Sequence, residues 1–168
     1  EAKELPAVAA IATVGDVMQL LDENRILVKE GLELLANTEN IGLKTLIQIT
    51  GLSDTKLTPY HIGFVLGPCI NATGRLDTAL NALELFKTKS MYEAAMLAGD
   101  LKAMNDSRKE LTLKGVEEAV YKIENTDIKN DKVIVVYLPD VHESLAGIIA
   151  GRIKEKYTKP TLGIRKFL

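Results

Sequence analysis

Three short stretches of the chain carry residue types that could do chemistry. The first is Ala9-Ala-Ile-Ala-Thr-Val-Gly-Asp-Val-Met-Gln-Leu20, where a single carboxylate, Asp16, interrupts an almost wholly apolar run. An ionised carboxylate is costly to bury without a cation or several donors around it. Asp16 therefore either has a cation or several donors beside it, caps the helix suggested by Asp22-Glu-Asn-Arg-Ile-Leu-Val, or sits at a loop edge. The second stretch is Cys69-Ile-Asn-Ala-Thr-Gly-Arg-Leu76, in which Gly74 beside Arg75 would let backbone and guanidinium approach an anion together. Its plain alternative is a turn whose Arg75 pairs with Asp77. The third is Pro139-Asp-Val-His-Glu-Ser144, a loop that feeds a helix whose unpaired N-terminal amides could receive a phosphate. Here too a structural alternative stands beside each residue: His142 as an exposed or capping group, Ser144 as the N-cap, and Arg152 snorkelling outward from the helix.

Composition bounds what these stretches can belong to. The 168 residues, 46% hydrophobic and 26% charged, suffice for one ordinary globular domain or two small ones. A net charge of −2 excludes a globally basic nucleic-acid binder while leaving room for a local basic cleft. Cys69 is the only cysteine, so neither an internal disulfide nor a cysteine-based zinc cluster can form, which fits a reducing, cytoplasmic setting. No stretch of about 20 residues is apolar and free of charge, and Glu1-Ala-Lys-Glu lacks a signal peptide's order, so no membrane association is expected. The chain begins without Met and enters an apolar run within a few residues, which suggests a fragment.

The elements that must position the three stretches are mostly helical. Residues 5–17 lean to helix, and residues 23–36 space Ile26, Leu27, Leu32, Leu34 and Leu35 at helical intervals. Another short helix is expected over Gly42 to Thr50. Tyr60 to Pro68 reads as a brief helix ended in a turn by Gly67-Pro68, and a further helix is expected over Asp77 to Phe86. Ser90-Met-Tyr-Glu93 has capping-box spacing and opens the longest periodic stretch, Met91 to Glu124, about 50 Å of helix. Such length suits a connector. Asn125 to Asp131 is a polar linker, with a domain boundary placed inside it. Lys132 to Leu138 follows as a β-branched run of the kind found in strands covered on both faces. A helix over Leu145 to Tyr157, with Gly147 and Gly151 thinning one face for packing on a sheet, and a parallel return strand at Thr161 to Ile164 complete a strand–helix–strand unit.

Three segments in fixed order carry a family resemblance: Ala12-Thr-Val-Gly-Asp-Val-Met-Gln-Leu with Glu23-Asn-Arg, then Ile62-Gly-Phe-Val-Leu-Gly-Pro-Cys-Ile-Asn-Ala-Thr-Gly-Arg-Leu, then His142-Glu-Ser-Leu-Ala-Gly-Ile-Ile-Ala-Gly-Arg. Together they resemble the RecJ-like, single-strand-specific exonuclease family of the DHH phosphoesterase superfamily, over residues 5 to about 162. Only residues 163–168 look unlike the family's continuation. The resemblance implies an α/β chain. Residues 1–88 would be the mainly helical C-terminal part of a DHH-type catalytic domain, 89–126 a long connector helix, and 132–168 the truncated start of a DHHA1-like substrate-binding domain.

The resemblance also implies roles. Asp16 stands where the family has its last metal ligand, for Mn²⁺ or Mg²⁺, hard cations that prefer oxygen donors. The other ligands of the family come from an Asp-x-Asp motif, an isolated aspartate and an Asp-His-His motif. Neither of those two motifs occurs in this sequence, whose only histidines are His61 and His142. The expectation is thus a parent exodeoxyribonuclease acting 5′ to 3′ on single-stranded DNA in repair and recombination, and an isolated chain that is inactive. Asn71, Gly74 and Arg75 would face the catalytic cleft, and His142, Ser144 and Arg152 would bind the backbone of single-stranded DNA from the accessory domain. Cys69 and Thr73 depart from the family's arginine and alanine, the first removing a positive charge. Two other readings remain: another phosphodiesterase of the superfamily, acting on oligoribonucleotides or cyclic dinucleotides, and a noncatalytic scaffold of a replication or repair assembly.

Overall fold

The computed structural model describes residues 5–76 and 80–164, with side chains described for all of these but 73–76. The chain divides into two compact units, Glu1–Asn105 and Asp106–Leu168. It is a mixed α/β chain, mainly helical, with one parallel pair of strands among the described residues.

The first unit begins with α1 (Leu5–Gly15) and α2 (Asp22–Ala36), which approach closely because small residues face each other. A Cβ added at Gly31 would lie 2.4 Å from the Cβ of Ala10 and 2.5 Å from the carbonyl oxygen of Pro6. Helix α2 buries Val28, Gly31 and Leu35 on one face, and Asp22 and Glu23 lie in its first turn, where negative charge suits the helix dipole. Helix α3 (Ile41–Ile49) is capped by Asn40, whose Oδ1 accepts from the Leu43 amide at 3.0 Å. Gly42 lies directly under α6 (Leu80–Lys87): a Cβ there would fall 1.8 Å from the Leu85 carbonyl oxygen. Leu35, Leu43, Leu46, Ile62, Leu66 and Leu85 are fully buried in the core of this unit.

Between α3 and α6 the chain stays helical where Gly67-Pro68 suggested a stop. Helix α4 (Pro59–His61) passes through a π-helical turn, Ile62–Leu66, into α5 (Gly67–Leu76). The Gly67 amide donates to the carbonyl of Ile62, five residues back. In an ordinary α-helix the ring of Pro68 would press on the carbonyl four residues earlier, and the wider π turn relieves that crowding.

Helix α7 runs from Met91 to Glu124, and the division between units falls within it rather than in the polar stretch 125–131. Ser90 Oγ accepts from the Glu93 amide at 3.3 Å, half of the expected capping box. Glu93 completes a different bond, accepting from the Thr88 hydroxyl.

In the second unit, β1 (Ile134–Tyr137) and β2 (Thr161–Ile164) pair in parallel, Ile134 opposite Thr161, joined by α8 (Glu143–Tyr157). Ala119 and Ile123 of α7 share a core with Ile134, Val136, Leu145, Ile149 and Ile153. The polar stretch after α7 folds back as a 3₁₀ turn, Asp127–Asn130, with Ile128 packed against that core. This contact makes it part of the second unit. Strand β1 is covered on one face only among the described residues, since Val135 and Tyr137 are exposed. The thinned face of α8 is likewise unpacked: a Cβ at Gly147 or Gly151 would meet nothing within 4 Å. The close approach is made instead by Gly115 of α7, where an added Cβ would lie 2.4 Å from Ile149. No described helix is long and apolar enough to cross a membrane.

Candidate functional site

Asp16 closes α1 from its C-terminal end. Its amide donates to the Ala12 carbonyl at 2.9 Å, the Val17 amide to Val14 at 3.1 Å and the Met18 amide to Thr13 at 3.1 Å. The last two are the paired bonds of a Schellman turn, with Asp16 as the C-cap and Val17 as the left-handed residue after it, at φ 55°. The capping alternative for the following helix is therefore excluded, because the N-cap of α2 is Leu21. Asp16 is exposed. A carboxylate at the negative end of a helix is disfavoured by several tenths of a kcal/mol, or about 1. A hard cation placed there would reverse that sign, being drawn to the carboxylate and to the helix-end dipole together. Asp16 thus fits a metal as a single oxygen ligand. Among the described residues, no group of three or more His, Cys, Asp or Glu comes together to complete such a site.

The α1 end lies against the π turn. A Cβ at Gly63 would touch Val14 at 3.6 Å, two residues before Asp16. From this turn α5 carries Asn71, which is exposed, and runs through Gly74 and Arg75. The segment is therefore a helix, not the turn that its glycine suggested. The side chain of Arg75 lies outside the described residues, as does Asp77, its proposed ion-pair partner. Cys69 is buried at 2% exposure, and the Asn105 side-chain amide donates to its sulfur at 3.5 Å. The departure from arginine at this position is thus an inward one, and Asn71 stands on the exposed side of the same helix.

In the second unit, His142 rather than Ser144 is the N-cap of α8. Its Nδ1 accepts from the Ser144 amide at 3.3 Å and lies 2.8 Å from Ser144 Oγ. Leu111, Lys114, Glu118, Asp140, His142 and Leu145 help to line a depression of about 240 Å³ beside this cap. Glu118 and Asp140 outnumber Lys114 in this lining, and Lys114 pairs with Glu110 at 2.7 Å, so the depression is not basic. Arg152 is exposed, eight residues after Ser144 and so about 12 Å further along the helix axis. His142 and Ser144 are brought together, whereas Arg152 stands apart from them.

Two residues of the Asp16 neighbourhood lacked a sequence signal for their role. Val17 is β-branched where a left-handed position calls for glycine, and Asn24 donates from its side chain to the Gln19 carbonyl at 3.0 Å. The only signal for Asn24 was its place in Glu23-Asn-Arg. Asn105, on the Cys69 sulfur, is marked by no motif in the sequence.

No protein-family model matches the chain. The curated single-stranded-DNA-specific exonuclease RecJ of Dickeya dadantii is 35% identical over 163 residues, covering 95% of this chain and 28% of that protein. Crystal structures of Thermus thermophilus RecJ in complex with Mn²⁺ and with Mg²⁺ are 33% identical over 96% of this chain, with TM-scores of 0.85 and 0.86. The chain spans 24% and 25% of those two structures.

Proposed function

We propose, for a chain that is homologous to RecJ over 95% of its length, that it is part of a metal-dependent exonuclease acting 5′ to 3′ on single-stranded DNA. The observation that carries this reading is the position of Asp16, an exposed carboxylate held at a helix C-terminus, in a fold that superposes on metal-bound RecJ. Asp16 would supply one oxygen ligand to Mn²⁺ or Mg²⁺. Bound divalent metal would lower the pKa of a water and stabilise the leaving oxygen in phosphodiester hydrolysis. The remaining ligands would come from outside this chain, whose described residues bring no group of three or more His, Cys, Asp or Glu together.

The rest of the chain would hold substrate. Asn71, Gly74 and Arg75 on α5 would meet DNA in the catalytic domain, residues 1–88. His142 and Ser144, at the amide end of α8, and Arg152, beside the bare Gly151, would contact separate phosphates in the accessory domain that starts at residue 132. Residues 89–126 would connect the two. A cytoplasmic role in DNA repair and recombination suits the lone, buried cysteine.

The test is Asp16→Asn in the full-length protein, assayed with Mn²⁺ and single-stranded DNA. Loss of nucleotide release together with weakened Mn²⁺ binding supports the reading, and undiminished release with unchanged metal binding would sink it. Activity on oligoribonucleotides or cyclic dinucleotides in preference to DNA would transfer the chain to another branch of the superfamily. DNA binding without hydrolysis in the unaltered protein would make it a scaffold.

A further inference from the structure

The connection that leaves Asp16 is held in backbone conformations its residues rarely adopt. Val17 has φ 55° and Asp22 has φ 44°, both in the left-handed region. A β-branched residue there crowds its own backbone, and glycine is the usual occupant after a helix C-cap. Packing does not compensate, because the Val17 side chain is 88% exposed. Hydrogen bonds hold the conformation instead: the Val17 and Met18 amides bind back to α1, and Asn24, in the first turns of α2, holds the Gln19 carbonyl. Such strain persists only where the surroundings over-determine it, and it collects at functional sites.

We infer that Val17 and Asn24 are positioning residues for Asp16: together they lock the six-residue connection Asp16–Leu21, and so fix the direction in which the carboxylate points. This rests on the reading of Asp16 as a metal ligand. Glycine at position 17 would satisfy the left-handed turn with less crowding but would let the adjoining peptide rock, since glycine's allowed region is far wider. Valine trades stability for a ligand held in one orientation. Asn24 fixes the far side of the same connection, as an outer hydrogen bond fixes a metal ligand.

The experiment uses the full-length protein with Val17→Gly, Val17→Ile, Asn24→Ala and Asp16→Asn. Two readouts are taken: thermal unfolding without metal, and Mn²⁺ affinity by titration calorimetry. Val17→Gly is expected to raise the metal-free midpoint by about 2 °C or more and to weaken Mn²⁺ binding about tenfold. Val17→Ile should keep the parent's affinity, and Asn24→Ala should weaken it in the same direction as Val17→Gly. A purely structural role would move stability and affinity together, not in opposite senses. If Asp16→Asn loses metal while Val17→Gly and Asn24→Ala bind Mn²⁺ as tightly as the parent, the positioning role is overturned and the ligand assignment stands. A lower metal-free midpoint for Val17→Gly would also overturn it. Unchanged binding in Asp16→Asn would overturn both.

Discussion

The side chain of Asn40 joins two helix ends. Its Oδ1 caps α3, and its Nδ2 donates to the Phe86 carbonyl at 2.8 Å, across 46 positions of sequence. Replacing Asn40 by alanine removes a cap worth about 1 kcal/mol and a hydrogen bond of about the same net worth. A loss of about 2 kcal/mol in urea unfolding is therefore expected. Asn40→Asp, which can cap but cannot donate, should recover roughly half; stability equal to the parent's in Asn40→Asp would show that the bond to Phe86 contributes nothing, and a loss equal to that of Asn40→Ala would show that the cap does not.

Glycines in this chain should respond to alanine with opposite signs. Gly42→Ala drives a Cβ into the Leu85 backbone, which must move, and overpacking of this kind costs about 1–3 kcal/mol or more. Gly99, inside α7, has nothing within 4 Å of the added Cβ, so Gly99→Ala should stabilise by roughly 0.5–1 kcal/mol. Denaturation midpoints of the two variants, one below and one above the parent, check the pair.

Tyr157 should titrate late. Partial burial, and then its 2.7 Å bond to the Glu124 carboxylate, push its phenol up to about 12 from an ordinary 10.0. The folded state holds this proton more tightly than the unfolded state does. Its contribution to stability is therefore complete below about pH 10 and lost as pH rises through about 12. Tyrosinate absorbance should show a late component that Tyr157→Phe removes, and a curve unchanged by that substitution would contradict the assignment.

Arg152 and His142 separate binding from folding. If each meets a phosphate, Arg152→Ala in the full-length protein should lower the slope of log binding constant against log salt by about 0.7, with stability unchanged. His142→Ala removes the N-cap of α8 and should also cost about 1 kcal/mol of stability. A salt slope equal to the parent's in Arg152→Ala would remove Arg152 from the DNA path, and an affinity for single-stranded DNA equal to the parent's in His142→Ala would remove His142.

The 168-residue chain by itself should release no nucleotides from 5′-labelled single-stranded DNA with Mn²⁺, since one carboxylate does not make a catalytic metal pair. Sustained release from a clean preparation would show that the ligand set is complete within it.

Local periodicity made much of this fold legible. Helices α2 and α7 follow from the spacing of apolar residues, because each buries one face against a neighbour, whereas α1 only leans to helix in the sequence and β1 is read from its β-branched run. What escaped was set by geometry that spacing does not carry. Gly67-Pro68 reads as a stop, yet a π turn lets the helix continue, so Asn71 is exposed on a helix while Cys69 turns inward. Ser144 is a good capping residue by type, but the imidazole two residues earlier takes the amide. Gly147 and Gly151 suggested a packing face, and the close contact came from Gly115 on another helix. Asp16 stands out in the sequence as a lone carboxylate in an apolar run. That it ends a helix rather than beginning one depends on the left-handed Val17, which no propensity favours.

The π turn at Ile62–Leu66 amounts to one residue more than a regular helix needs. Each residue of an α-helix advances about 100° around the axis. Deleting one residue of the turn would restore regular winding and leave Asn71 exposed and Cys69 inward, whereas deleting one residue from the regular helix that follows would swing everything downstream of the deletion by that angle. The turn therefore absorbs a residue that regular winding would have converted into a change of phase along α5.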